Sequence, residues 1–325
     1  MKSASSLLFI CLSMLAFAQN TIQSKCLVQT TILTEDIDNF WSAYDSLGTC
    51  NDYQDSINCI RRYYFEKGTA GFQAFINKYQ FTVQDYLLSI KQYPKFYNSV
   101  RHNTLIAKSM NSEFNHLFEK VLDFYPEYKP LTIVFLIGPL QQGGTTIGNF
   151  LLIATEILAS TKIIDLSEFG NSALGHVLSF DINVHDHILF MVAHETVHDL
   201  QINADFNNYN LLNKSINEGS ADFIAELFTG VTANHYLYDY GKLHEQELII
   251  TFKKAIENNA NTDNWMYNYD RVEEGVPADL GYYIGYKISE SYYNHCRNKT
   301  EAVHEIIELE NPKDFFEKSH YGKNY

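Results

Sequence analysis

Asp186-His187-Ile188-Leu189-Phe190-Met191-Val192-Ala193-His194-Glu195-Thr196-Val197-His198-Asp199-Leu200-Gln201 wraps an HExxH motif in an apolar helical rhythm. Ile188, Leu189, Val192 and Val197 mark one face, and Asp186 is suited to cap the start, so the spacing predicts a helix from about 186 to 201. His194 and His198 then project from the same face one turn apart, where both imidazoles can reach a single ion. Glu195 stands beside them, where its carboxylate can accept a proton from an attacking water. Two histidines and a glutamate can also form a solvated face or a buried polar cluster. Phe190-Met191-Val192-Ala193 makes the helix largely buried, and burying these groups without partners is expensive. A metal removes that cost.

A third ligand follows downstream. Nineteen residues separate His198 from Glu218 in Asn217-Glu218-Gly219-Ser220-Ala221-Asp222. A second helix is expected from about Asn217 to Phe228, stopped by Gly230. Glu218 can supply an anionic ligand from it. Asp222, one turn on, can accept a hydrogen bond from a ligand imidazole and fix its tautomer. Gly219 would let the backbone approach the motif helix. Taken alone, this segment reads as an ordinary amphipathic helix with acidic residues; with HExxH upstream it reads as part of a site for one Zn²⁺, although Mn²⁺ or Co²⁺ suits similar ligands.

Outward from the motif, Leu131-Thr132-Ile133-Val134-Phe135-Leu136-Ile137 is a short β-branched run ending at Gly138-Pro139, a buried strand. Gln141 to Thr146 reads as a loop, and Asn149 to Leu158 as a second strand or, being so apolar, a helix. The Gly143-Gly144 pair lacks a Walker lysine or a G-x-G-x-x-G context, so phosphate binding is set aside. From about Thr34 to Tyr128, Phe40, Trp41, Tyr44 and Leu47, then Phe72, Phe75, Ile76 and Tyr79, repeat at helical spacing and read as core. The tail from about Asp279 is helical and tyrosine-rich. Strands followed by helices without βαβ alternation indicate an α+β fold.

The chain has 325 residues, 46% of them hydrophobic, enough for a sizeable core. Its formal charge of -15 repels phosphate backbones, and no basic stripe reverses that, which excludes nucleic acid as a partner. Lys2, the apolar run Leu7 to Leu15 and Ala16-Phe17-Ala18 form a signal-peptide pattern over residues 1–18, with Gln19 as the mature N-terminus. The mature chain is expected to be exported, periplasmic or secreted, with no transmembrane segment. Cys26, Cys50, Cys59 and Cys296 then allow two disulfides, and the turn residues near Gly48 favour Cys50 with Cys59.

HExxH followed by a glutamate in an E-G-x-x-D setting resembles the gluzincin metallopeptidases, the group of thermolysin and aminopeptidase N. The chain also resembles the predicted zinc-dependent proteases related to the gliding motility lipoprotein GldB. That resemblance rests on Ile37 to Trp41, Phe65 to Phe72, Gly143-Gly144-Thr145, the motif segment to Gln201, Asn217 to Phe223 and Gly281-Tyr282-Tyr283-Ile284-Gly285-Tyr286. It implies a bacterial envelope or secreted setting, although no good lipid-attachment cysteine is present. It points to the Gly281 to Tyr286 segment for an oxyanion donor, with Tyr283 ahead of Tyr282 and Tyr286 also possible. It further implies an edge strand beside the motif helix, for which Gly148 to Glu156 is the candidate. His176, His185, His187, His295 and His304 read as structural or surface groups, the first three with a chance of supporting the site.

The expectation is therefore an α+β, zincin-like core with a small mixed sheet and largely helical flanks. Residues 19–128 form a mainly helical N-terminal region and 129–325 the catalytic region. The expected activity is zinc-dependent hydrolysis of a peptide or protein, with His194, His198 and Glu218 as ligands and Glu195 as base. A non-catalytic zinc protein of the envelope and a metal-dependent amide or ester hydrolase are the alternatives. A structural zinc site needs no base and closes its fourth position, which favours catalysis.

Overall fold

Among the described residues six α-helices precede the main strand: α1 (Glu35–Ser46), α2 (Tyr53–Ile60), α3 (Ala70–Tyr79), α4 (Val83–Gln92), α5 (Pro94–Thr104) and α6 (Asn111–Phe124). The computed structural model describes residues 30–201, 210–232, 235–273 and 275–323; the expected signal segment and Cys26 lie outside them. Asp52, Thr69 and Thr82 cap α2, α3 and α4 by accepting the backbone N–H of Asp55, Phe72 and Asp85. Phe40, Trp41, Phe72 and Phe75 are buried, and Tyr64 packs on Phe72 with ring centres 4.3 Å apart. These aromatics are core, as expected. The Cys50 and Cys59 sulfurs lie 3.0 Å apart as thiols, so the two residues meet without the expected bond.

A four-stranded mixed sheet sits behind these helices. β1 (Ile32–Leu33), β2 (Thr132–Leu136) and β4 (Phe150–Ala154) are parallel, and β3 (Gly144–Ile147) runs antiparallel to β4, in the order β1-β2-β4-β3. Ile133 pairs with Leu151 and Phe135 with Ile153, all fully buried. Helices cover the sheet, so its central strands read as continuous apolar runs.

Two readings of this region need correction. The Asn149 to Leu158 run is strand only to Ala154 and then turns into α7 (Thr155–Leu158). The segment expected as a loop ends in β3, which is the edge strand. The run from Gly148 to Glu156 is instead internal: β4 has a partner on both sides. Gly144-Thr145-Thr146-Ile147 has one strongly apolar residue, so its strand character comes from pairing with β4 rather than from its own composition.

Beyond α8 (Ala173–Leu178), the layer that carries the motif consists of α9 (Val184–Leu200), α10 (Leu211–Thr229), α11 (His235–Glu257) and α12 (Leu280–His295). Helices α13 (Lys299–Glu308) and α14 (Pro312–Ser319) close the chain. Helix α9 starts two residues before Asp186, and its cap is Asn183, whose side chain accepts from the Asp186 N–H. Helix α10 begins earlier than expected, at Leu211 behind the Asn210 cap, and ends on left-handed Gly230 with φ 72°. A Cβ on Gly285 of α12 would lie 1.7 Å from the Ser215 carbonyl, and one on Gly219 would lie 2.2 Å from the Tyr286 nitrogen. Gly219 therefore serves the contact between α10 and α12, not an approach to the motif helix. Among the described residues no helix is long and apolar enough to cross a membrane.

Candidate metal centre

Helical spacing on α9 and α10 brings three ligand atoms to one point. His198 Nε2 lies 2.9 Å from His194 Nε2 and 3.2 Å from Glu218 Oε2, and His194 Nε2 lies 3.6 Å from the same oxygen. Donors held tetrahedrally around zinc at about 2.0–2.2 Å lie about 3.3–3.6 Å from one another. The observed triangle is slightly tighter and needs little adjustment to enclose an ion. Among the described residues these three form the group able to hold a metal.

The protons around the triangle decide what it can hold. His194 Nδ1 faces Asp222 Oδ1 at 2.8 Å. His198 Nδ1 faces Gln201 Oε1 at 2.7 Å. The Gln201 amide is oriented, since its nitrogen donates to the Asn217 carbonyl at 2.9 Å and its oxygen accepts from Asn217 Nδ2 at 2.7 Å. Both imidazoles thus donate through Nδ1 and turn Nε2, the atom that can ligate, towards each other and the Glu218 carboxylate. Three lone pairs at this range repel unless a positive charge, a proton or a metal ion, lies among them. Burial lowers the basicity of His194, but the carboxylates of Asp222 and Glu218 outweigh it and push its pKa up to about 10. Burial likewise opposes ionisation of Glu218, yet the two imidazoles hold it well below the usual carboxylate range. The pocket attracts cations, and its donor set of two nitrogens and one carboxylate oxygen fits zinc.

Around this centre lies a cavity of about 430 Å³, within the range of small-ligand sites. Glu195 lines it beside the ligands, together with Asp222 and Tyr282. Gly144 of β3 also lines it, and a Cβ there would come 2.9 Å from Glu195 Oε1. Tyr283 does not belong to the site. It is fully buried, and its ring fills the space that a Cβ on Gly241 of α11 would need, 2.5 Å away. Adjacent residues of α12 point about 100° apart, and of this pair only Tyr282 lines the cavity. Tyr286 turns its hydroxyl to Glu226 at 3.1 Å.

Several participants carry no motif in the sequence. Tyr238 donates to Asp222 Oδ2 at 2.8 Å, which fixes the carboxylate that orients His194. Tyr267 donates to Glu218 Oε1 at 2.9 Å, and Tyr282 donates to the Tyr267 hydroxyl at 3.2 Å. Tyr267 has φ 52°, a left-handed conformation uncommon for a bulky residue. Its N–H is held by the Asp279 carboxylate. Of the other histidines, His187 lines the cavity; His185 meets Glu113 and Asp186, His295 the Ser291 carbonyl and His304 Glu308.

Residues 169–311 match a family model described as "Predicted Zn-dependent protease" (DUF2268). The match spans the HExxH histidines, Glu195, Gln201, Glu218, Asp222, Tyr238, Tyr267 and Tyr282, hence every side chain that contributes to the triangle or supports it. The zinc in that description agrees with the donor set assembled here. No curated protein and no solved structure matches the chain.

Proposed function

We propose that the chain is an exported zinc-dependent peptidase of gluzincin type with a zincin-like core. The observation that carries this reading is the convergence of His194 Nε2, His198 Nε2 and Glu218 Oε2 beside a carboxylate, Glu195, that is not part of the triangle. A purely structural centre would need a fourth protein ligand and no adjacent base. Zinc, when bound, supplies a Lewis acid that polarises the scissile carbonyl and makes water more acidic.

The remaining work falls to the chain's own groups. Asp222 and Gln201 hold the imidazoles in the ligating tautomer. Glu195 accepts the proton of the attacking water and delivers it to the leaving amine. Tyr267 and Tyr282 present hydroxyls beside Glu218, suited to donate to the developing oxyanion. Strand β3 lies at the end of the sheet order, where its outer edge can pair with an extended substrate backbone.

The decisive test is Glu195→Gln, assayed at matched zinc content because lost metal would imitate lost chemistry. Glutamine is near-isosteric but cannot take the proton, so turnover should fall by about 10²–10⁴-fold with zinc and fold retained. A zinc-loaded variant that cleaves as fast as wild type removes Glu195 from the mechanism. If neither protein cleaves any member of a peptide library, the non-catalytic alternative takes its place.

A further inference from the structure

The cavity extends beyond the ligands along α9. His187 lines it seven residues before His194, two turns earlier on the same face and about 10 Å along the axis. The cavity's apolar lining includes Leu158, Val177, Phe180, Ile182, Met191 and Leu237, alongside Ser160, Tyr236 and Tyr269. Among the described residues that line the whole cavity there is no lysine or arginine, whereas Glu195, Glu218, Asp222 and Asp279 all do so. A substrate carboxylate, in a side chain or at a free C-terminus, would find no lysine or arginine here and four acidic side chains. An uncharged side chain within a longer peptide suits such walls.

His187 gives the inner end a polarity of its own. Its Nδ1 lies 3.0 Å from the Leu158 carbonyl oxygen, and a carbonyl only accepts, so Nδ1 carries the proton. Burial lowers the pKa of the ring and keeps it neutral. Nε2, across the ring, is therefore an acceptor on a side chain that lines the cavity. An acceptor that a bound substrate covers discriminates between a substrate that satisfies it and one that does not.

We propose that this arm is a subsite for one large aromatic substrate side chain ending in a hydrogen-bond donor, tyrosine in the first place, with His187 Nε2 as the acceptor. The subsite deepens the peptidase reading and rests on it for the class of ligand, but binding alone can test it. The zinc-loaded Glu195→Gln protein is titrated calorimetrically with acetyl-Ala-Ala-X-Ala-Ala-amide peptides, where X is Tyr, Phe, Ala or Glu. Tyr should bind about tenfold tighter than Phe, Phe tighter than Ala, and Glu most weakly. Adding His187→Leu should bring Tyr and Phe to near-equal affinity while both still exceed Ala. Equal affinities for Tyr and Phe overturn the proposal without any second variant, as does a failure of all four peptides to bind. A Tyr preference that survives His187→Leu overturns it too. If the ranking holds but wild type cleaves none of the peptides, the subsite stands and the peptidase reading falls.

Discussion

A Cβ placed on Gly144 would lie 2.9 Å from Glu195 Oε1 and 3.2 Å from its Cδ. The edge strand and Glu195 thus touch with no room for a side chain between them. The group that must yield to a methyl is the flexible end of Glu195, not backbone. Gly144→Ala should therefore leave stability and zinc content nearly unchanged while moving the carboxylate. A displacement of about 1 Å can cost about 10²-fold in rate, so kcat is expected to fall by one to two orders of magnitude. Steady-state kinetics beside metal analysis checks this; wild-type kcat in the alanine variant would mean that Glu195 is not the base or tolerates the shift.

Asp222 accepts from His194 Nδ1 through one oxygen and from the Tyr238 hydroxyl through the other. Asp222→Asn keeps the shape but removes the negative charge and one of the two acceptors. Partners of this kind typically contribute about 10–100-fold in metal affinity, and a loss of that size is expected in competition titrations against a chelator. If zinc binds the variant as tightly as wild type, the carboxylate does not tune His194.

Tyr267→Phe and Tyr283→Phe separate two tyrosines that composition alone cannot distinguish. Tyr267 carries its hydroxyl to Glu218, whereas Tyr283 is enclosed against α11. Loss of a donor to a developing oxyanion costs about 10²–10³ in kcat. That order is expected for Tyr267→Phe, with little change for Tyr283→Phe. The reverse ranking would return the donor to Tyr283.

The residues legible in the sequence are those whose relation is local. His194 and His198 share a face because of helix geometry, and Glu218 and Asp222 do so for the same reason. Gln201, Tyr238 and Tyr267 reach the site through packing between helices or an irregular segment, and no spacing announces them. Gln201 lies three residues after His198, so its chance to meet the ring could be suspected, but not which atom it would present. The helical N-terminal region and the β2 strand were legible from rhythm and β-branching. Strand β3 was not, because its pairing partner stabilises residues of weak intrinsic preference. That Tyr282 and not Tyr283 lines the cavity was not legible, because adjacent helix positions look alike in sequence and differ by about 100° in space.

Glu156 tests a part of the scaffold that the chemistry does not use. It is fully buried, accepts from Gly138 N–H at 2.8 Å and Leu140 N–H at 3.4 Å, and so pins the loop that leads into β3. Burial pushes its pKa up to about 7, against the lowering effect of those N–H groups. Below about pH 4.5 the carboxyl is protonated in both the folded and unfolded chain and imposes no penalty. Between about pH 4.5 and 7 the unfolded chain releases this proton first, so the folded state binds more protons and its stability falls as pH rises. Above pH 7 the loss is complete, about 3 kcal/mol from this group. Glu156→Gln cannot ionise, but its amide offers one acceptor where the carboxyl offered two, a cost of about 1 kcal/mol. The variant should therefore be the less stable protein at pH 5 and the more stable one at pH 8. Urea unfolding of both proteins at each pH, compared as a difference so that other titrating groups cancel, measures this. A difference that does not change sign or narrow between the two pH values would show that Glu156 ionises in the fold as readily as in the unfolded chain.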